Sequence, residues 1–249
     1  MGHDGLLLKT EGLSKNFGGL KAVDGVDFAL VAGDLRAVIG PNGAGKTTFF
    51  NLITGLFPPT SGRIHFRGED ITGFAPHRVS QKGIGRTLQL TSLFAGLTVR
   101  ENVWIAAQSR HRFFNPLVHY SKLRDVEAKT RDVLRLLGLA EKSNEVVANL
   151  SHGDQRLLEI GVALSTNPAL LLLDEPTAGL SPRETQEITE TIRALSKGIT
   201  IVIVEHDMDV IMSVANTITV LDQGQVIAEG SPEAIRGDPR VREAYLGAD

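Results

Sequence analysis

Gly40-Pro41-Asn42-Gly43-Ala44-Gly45-Lys46-Thr47-Thr48 is the stretch whose reading decides the fold. It fits the G-x-x-x-x-G-K-[ST] pattern, which a chain of this length meets by chance about once in a hundred at ordinary residue usage. Val38-Ile39 before it reads as the end of a buried strand, and the run from Thr47 through Ile53 as the first turns of a helix. Strand, glycine loop and helix in that order aim backbone N–H groups and a positive helix end at a polyphosphate. Gly43 and Gly45 allow close backbone approach. Lys46 is expected to bridge the β- and γ-phosphates, and the Thr47 hydroxyl to hold Mg²⁺. All nine residues are therefore candidates to line a nucleoside triphosphate. The bland alternative is a turn that happens to contain glycine and lysine.

Bulk numbers set limits on the rest. At 249 residues the chain suits one α/β domain with a side lobe. Basic and acidic residues nearly balance, 26 against 29, which disfavours a surface dominated by nucleic-acid binding. With no cysteine there are no disulfides and no thiolate metal sites, in keeping with a reducing cytoplasm. Residues 1–9 lack the basic-then-apolar pattern of a secretory signal, and no 18 apolar residues run together. Any membrane role is expected to come through partners.

Working outward, strands are expected at 6–10, 26–30, 34–39 and 63–66, broken by Gly18-Gly19, Ala32-Gly33 and Pro58-Pro59. From Leu97 the periodicity becomes helical, with amphipathic segments at 99–103 and 126–137, and an Arg/His/aromatic-rich elaboration at 110–124 between them. Strands and helices then alternate: strand 170–173, helix 182–195, strand 200–204, helix 208–214, strand 218–221. That alternation implies a parallel, doubly wound sheet.

Leu170-Leu171-Leu172-Leu173-Asp174-Glu175 is an apolar strand ending in two acids. At the carboxyl edge of an open α/β sheet, Asp174 is placed to hold a Mg²⁺ shell and Glu175 to orient and deprotonate an attacking water. Acids in this position also cap helices, and Pro176 favours that alternative.

Leu150-Ser151-His152-Gly153-Asp154-Gln155 precedes a helical run. Here the chain resembles the ATP-binding subunits of ABC transporters, whose diagnostic motif is Leu-Ser-Gly-Gly-Gln. The likeness covers essentially the whole chain, with motifs in the family's order. It implies an α/β P-loop NTPase (RecA-like) core with a parallel-rich sheet and an N-terminal antiparallel β subdomain at 1–90 and 164–249. A helical subdomain is inserted at 91–163. Ser151 and the Gly153 amide, with Asp154, would form a second anion cradle at a helix start. In the family this cradle closes on the γ-phosphate held by another copy, so two ATP molecules sit between two subunits. A plain serine N-cap is the simpler reading. His152 replaces a glycine of the motif and Asp154 its glutamine. The first substitution asks whether the backbone there needs glycine's freedom.

The resemblance assigns further roles. Phe17 matches the aromatic that stacks on adenine, and Val23 a ribose contact. Gln89, in Gly85-Arg86-Thr87-Leu88-Gln89, matches the glutamine that reaches magnesium and the attacking water. His206 matches the switch histidine at the γ-phosphate, while Ser181 stands where an acid usually reaches across the dimer. Finer likeness points to the ATPase subunits of branched-chain amino acid importers, carried by Gly85 to Gln89, the 110–124 segment, Ala178-Gly179-Leu180-Ser181-Pro182, Glu205-His206-Asp207-Met208 and the tail Val241-Arg242-Glu243-Ala244-Tyr245-Leu246-Gly247. It implies ATP and Mg²⁺ as cofactors, and two integral membrane permease subunits and a second ATPase subunit as partners. An extracytoplasmic substrate-binding protein completes the system, with no nucleic acid and a peripheral place on the cytoplasmic face of the inner membrane. A lipopolysaccharide-export ATPase and a soluble ATPase acting on DNA or ribosomes are the alternatives.

Overall fold

The computed structural model describes residues 5–87, 93–109 and 119–246. In chain order its elements are β1 (Leu6–Phe17), β2 (Leu20–Val31), β3 (Leu35–Ile39), α1 (Lys46–Ile53), β4 (Ser61–Phe66), β5 (Glu69–Asp70), α2 (Pro76–Lys82), β6 (Ile84–Arg86), α3 (Val99–Gln108) and α4 (His119–Leu136). There follow α5 (His152–Ser165), β7 (Leu170–Asp174), α6 (Pro182–Leu195), β8 (Thr200–Val204), α7 (Met208–Val214), β9 (Thr217–Asp222), β10 (Gln225–Gly230), α8 (Pro232–Gly237) and α9 (Pro239–Leu246).

Two sheets result. One is antiparallel, ordered β2-β1-β4-β5; the other is ordered β10-β9-β3-β8-β7-β6. In the second sheet only the β10–β9 pairing is antiparallel. Its central strands are buried at every position because both faces are covered, and all but Arg36, Asp174 and Thr200 are apolar. Alternate residues serve different cores, as the two-residue strand period requires. Ala37, Leu171, Leu173, Ile201 and Ile203 join Val103, Val133, Leu137 and Leu158 of the helices. Val38, Leu170, Leu172, Val202 and Val204 join Phe49 and Phe50 of α1 and Leu8, Phe28 and Phe66 of the antiparallel sheet. Each fully buried phenylalanine contributes about 1.5–3 kcal/mol of burial free energy.

Register fixes where chemistry can gather. Val38 and Asp174 both pair with Val204, so β3, β7 and β8 end level. The residues that follow them, the glycine loop, Glu175 and His206, therefore emerge from one edge.

Several expectations need correction. The strands expected at 6–10 and 26–30 are 12 residues each. Gly12 and Gly25, just beyond the expected bounds, have φ of 54° and 66° in a ladder whose register shifts beside them. They mark bulges that bend a continuous strand. The helix expected from 126 starts at His119, inside the supposed elaboration, while 110–118 lies outside the described residues. The division expected at 163/164 cuts α5, a single helix. One face of the core sheet is closed by α1 and the antiparallel sheet rather than by helices alone. Sequence reading also missed α2, β6, β10, α8 and α9.

Candidate nucleotide site

The glycine loop owes its shape to close packing beneath it. Gly40 has φ 152°, and a Cβ there would lie 2.0 Å from the Leu221 carbonyl oxygen. Gly45 has φ 99°, and a Cβ would lie 2.3 Å from the Ala22 oxygen. Gly43 has φ 81° with open space around it. Gly45 is the N-cap of α1 and supplies no side-chain acceptor, so the first amides of the helix are left for an anion. Lys46, buried beneath the loop, donates from Nζ to the Gly40 oxygen at 2.7 Å and the Pro41 oxygen at 2.9 Å. Burial pushes its ammonium below the ordinary lysine range, and the charges of Glu175 and Asp174 oppose that shift.

A cleft of about 800 Å³ opens over the loop. Asn42 to Thr48 line it, with Phe17 and Ala22 at one end and Glu175 and His206 at another. Phe17 is 43% exposed and meets Phe57 edge-on at 5.5 Å between centroids, with Lys15 Nζ 5.2 Å from its own ring centroid. An exposed ring held in place from one side suits a flat ligand on the other. Val23 is different: at 1% exposure it belongs to the core, and only its neighbours Ala22 and Asp24 reach the cleft. The ribose contact expected of its side chain is not supported.

Glu175 adopts φ 48°, a left-handed conformation rare for glutamate, and its amide donates to the Val204 oxygen at 2.8 Å. Its Oε1 lies 2.8 Å from His206 Nε2. Behind them buried Glu205 accepts from the Thr177 amide at 2.8 Å, the Thr177 hydroxyl at 2.5 Å and the His206 amide at 3.0 Å. Sequence reading gave Glu205 no role, yet it joins the loops after β7 and β8.

Asp174 is fully buried. Its Oδ2 accepts from Arg86 Nη2 at 2.7 Å, its amide donates to the Thr87 hydroxyl at 3.3 Å, and its Oδ1 has no partner among the described residues. A buried carboxylate oxygen left open, beside the exposed Thr47 hydroxyl's loop, fits a hard cation that takes few protein oxygens and keeps its waters. The carboxylate is thus not a helix cap. Gln89 lies outside the described residues.

Ser151, Gly153 and Asp154 do not line this cleft. Ser151 caps α5: its hydroxyl accepts from the Asp154 amide at 3.1 Å and donates to Asp154 Oδ2 at 2.9 Å, an oxygen also held by Lys142 at 2.5 Å. The Gly153 amide, expected to be open, donates to Glu184 Oε1 at 3.1 Å. An internal carboxylate has taken the positive helix end. His152 is the first residue of α5 and is absent from the positive-φ residues, so glycine's freedom is not needed there. Ser181 forms a capping box with Glu184, whose carboxyl is held below its usual range by the Ser181 hydroxyl and amide and by Gly153.

The C-terminal segment is brought to the same region. Residues Arg240, Glu243 and Ala244 of α9 line a hollow with Pro41 and Asn42. Burial pushes the Tyr245 phenol up, against a hydrogen bond with the Gly40 backbone.

Comparison with known proteins agrees with this geometry. Residues 23–178 match the ABC transporter family, and residues 225–249 the branched-chain amino acid ATP-binding cassette transporter family. The high-affinity branched-chain amino acid transport ATP-binding protein LivG of Escherichia coli strain K12 is 41% identical over 97% of this chain and 98% of its own. Its counterpart BraF of Pseudomonas aeruginosa is 40% identical over 97% and 98%. The crystal structure of the ADP conformation of an ATP-binding cassette from an ABC transporter superposes with a TM-score of 0.84, at 35% identity, covering 97% of this chain and 99% of that one. The chain belongs to the ATP-binding subunits of ABC transporters, within the family of branched-chain amino acid transport ATP-binding proteins.

Proposed function

We propose that this ATPase subunit powers the import of branched-chain or related hydrophobic amino acids through two membrane permease subunits, supplied by an extracytoplasmic substrate-binding protein. The cargo class rests on the relatives' names and on the match at 225–249. Among the described residues no helix is long and apolar enough to cross a membrane. Docking on permeases at the cytoplasmic face would then supply the membrane connection. The helical lobe around α3 is the proposed docking side.

In the proposed cycle, adenine stacks on Phe17 and the phosphates lie along Gly40 to Thr48, with Lys46 turning from its loop carbonyls to the β- and γ-phosphates. Thr47 and Asp174 would hold Mg²⁺, which neutralises charge developing on the phosphates. Glu175 takes a proton from the attacking water, and His206 both orients Glu175 and contacts the γ-phosphate. Ser151 and Gly153 of a second copy close over the same phosphate once Glu184 yields the Gly153 amide. Closure is driven because the closed pair binds triphosphate better than the open one does, and hydrolysis removes that difference.

One observation carries this reading: the loop, Glu175 and His206 meet in a single cleft, with an Asp174 oxygen buried beside them that no described residue pairs. The test is purification from membranes of cells expressing the tagged chain. Two co-purifying integral membrane proteins and ATPase activity stimulated by a branched-chain amino acid with its binding protein are expected. Recovery with ribosomes or nucleic acid, and no membrane protein, would contradict it.

A further inference from the structure

Arg86 stands where three parts of the site meet, and no step above uses it. It ends β6, the edge strand, with its side chain 8% exposed. Nη1 donates to Asn51 Oδ1 at 2.6 Å and Thr54 Oγ1 at 3.2 Å, on and just past the helix that follows the glycine loop. Nη2 donates to Asp174 Oδ2 at 2.7 Å. The guanidinium lies 5.6 Å from the Phe50 ring centroid. Arg86 Nε and Asp174 Oδ1 are both buried without partners among the described residues.

A guanidinium usually grips a carboxylate with two parallel hydrogen bonds, occupying both oxygens. Here Nη1 is held by Asn51 and Thr54, which closes the end-on fork to Asp174, and of the side-on pair only Nη2 bonds the carboxylate while Nε does not. The pair is thereby split: one carboxylate oxygen is fixed and the other stays available. Arginine is suited to this because it remains charged when buried and its planar fork holds a set direction. A buried carboxylate without such a partner would be strongly disfavoured.

We infer that Arg86 is a positioning residue for Asp174, balancing its charge, fixing its rotamer and reserving Oδ1 for the magnesium shell, with Asn51 and Thr54 setting the angle of the fork. This rests on the metal role given to Asp174 above. It links the loop helix, the β7 carboxylate and the strand that leads to Gln89 through one side chain.

The test is binding of a fluorescent ATP analogue to the purified full chain, first with chelator and then along a Mg²⁺ titration. Wild type, Asp174→Asn, Arg86→Gln, Arg86→Lys and Asn51→Ala are compared, with thermal melts as a check of folding. Arg86→Gln is expected to raise the Mg²⁺ half-saturation about tenfold, the scale of one charge-assisted hydrogen bond, while binding in chelator stays within about twofold. Arg86→Lys falls between it and wild type. Asn51→Ala also raises the half-saturation, because the freed fork can close on both carboxylate oxygens. A folded Arg86→Gln with wild-type half-saturation, beside an Asp174→Asn that shifts, overturns the inference. So does an equal fall in both binding regimes, which means general damage to the loop. If Asp174→Asn does not shift, the metal role fails and the inference with it. Should Arg86→Gln not fold, wild-type values for both Arg86→Lys and Asn51→Ala overturn it.

Discussion

His206 Nε2 and Glu175 Oε1 sit 2.8 Å apart, so the side chains following β8 and β7 orient each other. If Glu175 is the general base, Glu175→Gln keeps ATP binding and loses turnover by about 10²–10⁴-fold. His206→Ala should also lower kcat, with binding of the nucleotide less affected, because Glu175 loses its orienting partner. Steady-state phosphate release, read beside analogue binding, checks both. Near-normal turnover in Glu175→Gln would reject the assignment.

Lys46 carries a pH prediction. Its ammonium lies below the ordinary 10.5 in the empty protein because it is buried. An incoming triphosphate favours the charged form, so the bound state titrates higher than the empty one. Binding therefore takes up a proton in the alkaline range, and affinity falls as pH rises from the empty-site value towards the bound one. For folding the sign is opposite: the unfolded lysine holds its proton longer, so the buried charge costs stability at neutral pH and that cost fades as pH rises from the empty-site value towards the ordinary 10.5. Analogue titrations from neutral to about pH 10 should show this loss in wild type, and Lys46→Ala should bind poorly at every pH. Unchanged affinity in Lys46→Ala would refute the phosphate contact.

The two glycines Gly40 and Gly43 should respond differently to alanine. A Cβ at Gly40 meets the Leu221 carbonyl at 2.0 Å, whereas one at Gly43 meets nothing within 4 Å. Gly40→Ala should cost about 2–5 kcal/mol in urea unfolding, combining overpacking with backbone strain. Gly43→Ala should cost about 1–2 kcal/mol, from its left-handed φ alone. Equal losses would contradict the packing described for the loop.

Ser151→Ala removes the cap of α5 and should cost about 1 kcal/mol of stability. Binding of nucleotide to a single subunit should survive, because Ser151 does not line the cleft. Turnover should fall if the residue completes a site on a second copy; full turnover would leave it only a cap.

How far this was legible in the sequence depended on how local each cause is. Helices 182–195 and 208–214 and strand 200–204 were read to the residue, since Ser181-Pro182 and Asp207 mark starts and the β-branched run marks the strand. The strand bounds at 10 and 26 fell short because the bulges at Gly12 and Gly25 are stabilised by the partner strand, not by their own residues. β6 was invisible: three residues form a strand only because β7 pairs with them. At the site, the loop and Glu175 were legible as motifs, whereas Arg86, Glu205 and Glu184 matter through contacts 88, 28 and 31 residues away in sequence. The burial of Val23 comes from the core between the antiparallel sheet, α1 and the second sheet, which its motif does not encode.

The central claim is that one copy's glycine loop and another copy's Ser151 enclose the same triphosphate. Light scattering on Glu175→Gln with Mg²⁺ and ATP tests it most directly, with Glu175→Gln/Ser151→Ala as the paired sample. The account predicts a dimer that forms with ATP, not with ADP, and that the Ser151 change weakens. A monomer under all conditions, or a dimer indifferent to both nucleotide and Ser151, would contradict it.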